Sequence, residues 1–257
     1  MPQRESTRAH WSAFWAGHGD IDQVYSNEGR IPAELAKVRP IAGARVLEVG
    51  AGSGRDSVLL AREGALPVTL DYTREALAII QHLARREGVA IDLVCADCTR
   101  MPFRSGAFDV VFHQGLMEHF RDPSPLLAEN HRVLRPGGHV LVDVPQRYHV
   151  YTLFKHVLIA LGRWFAGWET EYSIRELERL IERHAFTVRH AYGDWMVPGL
   201  GYRSVRTVCR RFGVLLPLYP PGVPGFAPAA AAFRRWFRPR RLAFYTFLVI
   251  GVVGEKR

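Results

Sequence analysis

The chain has 257 residues, of which 48% are apolar and 23% charged. These proportions fit one large α/β domain with insertions and exclude a disordered, collagenous or coiled-coil chain. Three cysteines, Cys95, Cys98 and Cys209, are too few for a disulfide framework and point to a reducing compartment. The net charge of +9 is unevenly placed: residues 1–147 carry 17 basic and 18 acidic side chains, residues 148–257 carry 17 and 7. Between Trp195 and Gly254 stand nine arginines and no carboxylate, a surface suited to something anionic.

Residues Met1 to His10 are polar and charged with no apolar stretch of the secretory kind, so a cytoplasmic location is expected. The longest apolar run, Leu242 to Gly254, covers 13 residues, short of the roughly 20 that a spanning helix needs.

In chain order, Arg45 to Gly50 reads as a strand ending in glycines, and Ser53 to Arg62 carries Val58, Leu59 and Ala61 at helical spacing. Pro67 to Asp71 is a second strand, and Thr73 to Glu87 a helix with Ala76, Leu77, Ile80 and Leu83 on one face. Ile91 to Ala96 and Phe108 to His113 are further strands, Pro123 and Pro125 open a helix through Leu134, and Gly138 to Val144 is the fifth strand. Strands separated by helices require right-handed parallel crossovers, which gives a doubly wound sheet that binds ligands beyond its carboxyl edge. Tyr148 to Trp168 reads as an amphipathic helix. Ser173 to Glu176 matches a capping box that starts a helix through His184, and Phe186 to Tyr192 makes a sixth strand. Gly193 to Pro239 is rich in Pro and Gly, and Leu242 to Val253 reads as a last buried strand.

The chemistry gathers around Gly50-Ala51-Gly52-Ser53-Gly54, a glycine turn between strand and helix that lets backbone approach a ligand closely. A dinucleotide fingerprint would put its third glycine at Arg55, and a Walker loop would need Lys after Gly54, so both are disfavoured. Asp71, 21 positions after Gly50 at the end of the second strand, is placed to accept two ribose hydroxyls, which points to a nucleoside. Glu48 adds a carboxylate beside the loop, suiting a sulfonium or amine and repelling a pyrophosphate.

Together with Ala96-Asp97-Cys98, Met101-Pro102-Phe103, Phe108 to Val111, Glu118-His119 and Leu134 to Gly138, these residues resemble the class I S-adenosylmethionine-dependent methyltransferases, over roughly Ala44 to Val144. The resemblance implies a Rossmann-like seven-stranded doubly wound α/β sheet with an antiparallel last strand, helices on both faces and S-adenosylmethionine as cofactor. It implies roles by position: Glu48, Gly50, Ala51, Gly52 and Gly54 along the methionine portion, Asp71 at the ribose, Tyr72 on one adenine face, Asp97 at the adenine amino group, Cys98 at the ring by its backbone, and Gln114 near the sulfonium. Residues 1–43 would form a helical lid carrying Trp11, Phe14, Trp15 and Tyr25, residues 44–147 the cofactor-binding core, 148–172 an amphipathic insertion, and 193–240 an Arg/Pro-rich substrate cap or docking insertion, all in a single domain.

Methyl transfer is an in-line displacement that asks mainly for alignment, with a general base if the acceptor holds its proton. Candidates at the right sheet edge are His119, Glu118 and His113, with His119 first; packing roles compete for His119 and His113. Phe108 to Phe120 and the apolar insertion look most like the O-methyltransferases of ubiquinone biosynthesis, which act on lipid-tailed phenols at the membrane surface. That resemblance includes a second glutamate three positions before the Glu-His pair, where this chain has Gly115, so no metal site is expected. The expected acceptor is small and apolar, methylated on oxygen. Trp164, Phe165 and Trp168 fit a bilayer interface, and Arg234 to Arg241, with its interleaved aromatics, fits anionic headgroups or stacked RNA bases. The competing readings are an RNA or protein methyltransferase docking through this basic run, and a catalytically silent partner subunit.

Overall fold

The computed structural model describes residues 7–17, 29–162, 164, 168–195, 197–220 and 226–257. In chain order its elements are α1 (Arg8–Ala16), α2 (Arg30–Leu35), β1 (Arg45–Val49), α3 (Arg55–Arg62), β2 (Leu66–Asp71), α4 (Arg74–Glu87), β3 (Asp92–Cys95), β4 (Phe108–Gln114), α5 (Ser124–Val133), β5 (Leu134–Pro145), α6 (Val150–Ala160), α7 (Ile174–Arg183), β6 (Phe186–Asp194), α8 (Leu200–Arg211), α9 (Phe226–Phe237) and β7 (Val249–Lys256). The strands form one sheet in the order β3-β2-β1-β4-β5-β7-β6. The first five run parallel, and β7 inserts antiparallel between β5 and β6.

Period-2 alternation divides the central strands between two cores. Leu47, Val49, Val111, Val140 and Val142 face a cluster completed by Leu126 and Leu127 of α5 and Leu177 and Ile181 of α7. Val46, Val110, Phe112 and Leu141 face the opposite cluster, with Ile31 and Leu35 of α2 and Leu60 of α3. Each fully buried side chain of this size contributes about 1.5–3 kcal/mol. The capping box that starts α7 is present: the Ser173 hydroxyl accepts from the Glu176 N–H, and Glu176 accepts from the Ser173 N–H at 2.8 Å.

Two readings are corrected. The last strand begins at Val249, because Arg241–Tyr245 winds into a short 3-10 turn whose Ala243 is buried. The helix expected over Tyr148 to Trp168 spans Val150–Ala160 and stops at Gly162, in the left-handed region at φ 65°; Phe165 lies outside the described residues. The Pro-rich stretch contains two helices, α8 and α9. Of the expected lid, residues 1–6 and 18–28, including Tyr25, lie outside the described residues. No described helix is long and apolar enough to cross a membrane.

Candidate active site

The carboxyl edges of β1, β2 and β4 open into a cavity of about 620 Å³. At its floor the chain leaves β1 through Gly50, Gly52 and Gly54, at φ 63°, 53° and 66°. The turn is locked to β2 by bonds from the Gly50 and Ala51 N–H groups to the Leu70 carbonyl at 2.7 and 3.3 Å. Glycine is required at Gly52 for space as well as for φ: a Cβ there would lie 2.5 Å from the Trp15 ring of α1.

Asp71 ties this loop to the end of β2. One carboxylate oxygen accepts the Gly52 N–H at 3.1 Å, and the other accepts the Thr73 N–H and hydroxyl, each at 2.8 Å. Its side chain is 4% exposed and lines the cavity, as do Tyr72, Asp97 and Cys98. Asp97 caps the next turn by accepting from the Thr99 N–H and hydroxyl at 2.8 Å. Cys95 and Cys98 are free thiols. Burial pushes the Cys98 thiol up to about 12, so it is a neutral lining group.

Glu48, on the inward end of β1, is buried and accepts the Ser57 hydroxyl at 2.5 Å. Burial first and the neighbouring Asp56 second push its carboxyl up to about 8, a site that gains from a cation. Gln114 ends β4 between opposite charges: its carbonyl accepts from Arg30 Nη2 at 2.7 Å and its amide donates to Asp56 at 2.5 Å. Arg30 in turn donates from Nε to Asp143 Oδ2 of β5 at 2.8 Å. Arg30 and Asp56 both line the cavity, and the sequence reading missed both. Arg30 is one of 31 arginines and lies outside the matched motif set, so no local signal marks it.

The proposed base residues separate. His119, in the 3-10 turn Met117–His119 after β4, lines the cavity and meets Trp11 of α1 edge to face at 5.1 Å. Burial lowers its pKa, opposed by Glu169 and by a bond from the ring to the Trp168 carbonyl. Glu118 does not line the cavity; it is buried behind His119 with Oε2 lacking a partner, and burial together with Glu169 raises its pKa well above the carboxylate range. His113 is fully buried within β4, neither ring nitrogen has a partner, and burial alone lowers it to about 3. Of the three, His119 alone faces the cavity. The described residues hold no group of three or more His, Cys, Asp or Glu arranged for a metal.

Helix α6 turns its polarity inside out. It buries Thr152 and Lys155, whose ammonium pairs with Glu169 at 2.6 Å and Glu171 at 2.7 Å, while Val150, Leu153, Phe154, Val157 and Leu161 are each more than half exposed. Phe233 and Trp236 of α9 and Leu242 beyond it are exposed as well. In the basic run, Arg240 stacks on Trp236, and Arg238 covers Trp195 and pairs with Asp194 at 2.9 Å.

A parallel sheet in this order, closed by one antiparallel strand and carrying a glycine loop and an acid at the ends of its first two strands, defines the class I methyltransferase fold. Residues 47–142 match the family described as methyltransferase domain. It is 28% identical over 185 residues to a ubiquinone biosynthesis O-methyltransferase of Xylella fastidiosa, covering 71% of this chain and 70% of that one. A protein of the same name from Parvibaculum lavamentivorans is 29% identical over 146 residues, 55% of this chain; the match spans 58% of that relative's length. Among solved structures, a S-adenosylmethionine-dependent methyltransferase of Thermotoga maritima, a possible histamine N-methyltransferase, superposes with a TM-score of 0.63 at 14% identity, covering 98% of this chain and 100% of that one. At that identity the likeness speaks for the fold.

Proposed function

We propose that this protein transfers a methyl group from S-adenosylmethionine to a hydroxyl of a small, lipid-like acceptor. The observation that carries the reading is one cavity lined both by the glycine loop with Glu48, Asp56, Asp71 and Asp97 and by Leu116, His119, Phe120 and Leu248. The loop and its acids fit the cofactor. Glu48 suits its ammonium, Arg30 its carboxylate, Asp71 its ribose hydroxyls, and the glycine turn leaves room for its chain.

The cofactor brings an activated methyl on a sulfonium; the chain's own residues align the acceptor and keep water out. With the cofactor bound, its methyl would pass from the sulfonium to the acceptor oxygen, and the neutral imidazole of His119 would take the acceptor's proton. Trp11 and Trp15 of α1 close the cavity over the loop. Oxygen as acceptor atom and a lipid-like substrate are favoured by the relatives' name and by the apolar lining residues Leu116, Phe120 and Leu248.

The outward apolar face of α6, with the exposed aromatics and arginines of α9, supports peripheral contact with an anionic bilayer, from which such an acceptor would be drawn. Flotation with phosphatidylglycerol vesicles checks this: Leu153→Ser/Phe154→Ser should lose binding, and vesicles of neutral lipid alone should bind little. The catalytic reading is tested by incubating the protein with methyl-labelled cofactor and a bacterial lipid extract. Mass spectrometry should find a labelled methyl ether that is absent with Asp71→Ala. Label recovered in RNA or protein would overturn the reading.

A further inference from the structure

We infer that Glu169 is a positioning residue for His119: its carboxylate, held in place by Lys155 and Trp164, supports the protonated imidazole that forms when the acceptor gives up its proton. The inference rests on the methyltransferase reading and adds a residue to the base that reading names. Glu169 lies outside the matched segment, in the stretch 168–172 between α6 and α7. Backbone bonds fasten that stretch at both ends. The Thr170 N–H donates to the Glu118 carbonyl at 2.8 Å, and the His119 ring bonds to the Trp168 carbonyl. Tyr172 donates to the Pro145 carbonyl at 3.3 Å and accepts from the Arg147 N–H at 3.0 Å. Residue 169 is thus set between two residues tied to the 3-10 turn Met117–His119. Its buried side chain is fixed as well: Oε2 accepts from Lys155 Nζ at 2.6 Å, and Oε1 from Trp164 Nε1 at 2.8 Å.

The ammonium of Lys155 is shared between two acids. It also pairs with Glu171 Oε1 at 2.7 Å, so two buried carboxylates stand on one buried cation, and the half-exposed His156 meets Glu171 Oε2 at 2.8 Å. Among the described residues, the charged or titratable groups that act on His119 are Glu169 from the stretch 168–172, Lys155 from α6 and His10 from α1. Burial acts most strongly on the ring and disfavours its cation; Glu169 gives the largest opposing effect. Glu118, the chain neighbour of His119, is the poorer counter-charge. Burial and Glu169 raise its carboxyl well above the ordinary range, and its Oε2 finds no donor among the described residues. An imidazole that gains a proton inside a cavity gains most from a carboxylate already fixed by other donors, because no reorganisation is then needed.

The test loads the protein with S-adenosylhomocysteine and follows the imidazole signals by NMR against pH, His119 being the signal lost in His119→Gln. Glu169→Gln keeps the size of the side chain and an accepting oxygen; it should weaken proton binding at His119 about tenfold. Glu169→Asp, which keeps the charge, should retain most of it. Glu171→Gln removes the same charge from the same cluster and should shift it less than about twofold, because Glu171 is not the acid set beside the turn. In the labelled-methyl assay on lipid extract, the acid limb of the rate should move to lower pH in Glu169→Gln alone. An unchanged titration of His119 in Glu169→Gln, equal effects of Glu169→Gln and Glu171→Gln, or loss of S-adenosylhomocysteine binding in Glu169→Gln overturns the inference and leaves the methyltransferase reading intact. A wild type that makes no labelled methyl ether overturns both.

Discussion

Arg30 and Asp143 are joined across the interior, Nε to Oδ2 at 2.8 Å, and so fasten α2 to the carboxyl end of β5 beside the cofactor loop. The pair makes a double demand on one guanidinium. It neutralises a carboxylate that is 1% exposed, and it holds Gln114 at the cavity wall. Arg30→Met should therefore cost about 3–5 kcal/mol by stranding Asp143, seen as a lowered midpoint in urea. Adding Asp143→Asn should recover most of that stability. Binding of S-adenosylmethionine, measured by calorimetry, should be lost in both variants; recovery of binding in the double variant would remove Arg30 from cofactor recognition.

If Glu48 meets the cofactor's ammonium as proposed, binding carries a proton-linked signature. Its carboxyl, pushed up to about 8 by burial, is largely protonated at pH 7 in the ligand-free protein. A cation placed beside it favours the ionised form and lowers that value. The bound state then holds fewer protons, so binding releases protons and affinity rises with pH until about pH 8, levelling beyond it. Calorimetry at pH 7 in two buffers of different ionisation enthalpy reads the released protons directly. Glu48→Gln should bind more weakly with no proton release; unchanged release in that variant would assign it to another group.

The contact between Trp15 and Gly52 couples the first helix to the cofactor loop. Gly52→Ala meets two costs: a Cβ at φ 53°, worth roughly 1–2 kcal/mol, and a collision with the indole. Affinity for S-adenosylmethionine should fall. Removing the indole as well, in Gly52→Ala/Trp15→Ala, relieves the collision but keeps the backbone strain. The two substitutions should thus be non-additive, with the double variant binding better than the sum of the single losses predicts. Strict additivity in the binding free energies would mean that α1 and the loop act independently.

What the sequence makes legible follows how local the cause is. Strands β1 to β6, the capping box at Ser173 and the glycine loop with Asp71 are written in short-range patterns, and each stands within a few residues of where those patterns put it. Arg30 is different, because it is one arginine among many until the chain folds and brings it to the cavity from outside the matched segment. The start of the last strand was misread because Leu242 to Leu248 is as apolar as the strand that follows. Burial of Ala243 in the 3-10 turn and of Phe247 just after it uses the same residues without pairing them. The inverted polarity of α6 was half legible. Its apolar residues were plain, but that its lysine is the buried face depends on Glu169 and Glu171, more than a dozen positions away.

His119 and Glu118 are adjacent in sequence and opposite in their demands, which makes a pH profile decisive. As a base, His119 must be neutral, and burial already holds its pKa below the ordinary histidine value. On a hydroxyl acceptor the rate should therefore be flat between about pH 7 and 8 and fall only on the acid side of about pH 6.5, where the imidazole takes a proton. Burial and Glu169 raise the Glu118 carboxyl well above its ordinary range, and it does not line the cavity. Glu118→Gln keeps its size and should leave both the plateau and the acid limb in place. His119→Gln should lower kcat by about a hundredfold or more and abolish the limb, with binding of S-adenosylmethionine little changed. An acid limb that persists in His119→Gln would move proton acceptance to a different group and leave His119 as the edge-to-face partner that seats Trp11 over the cavity.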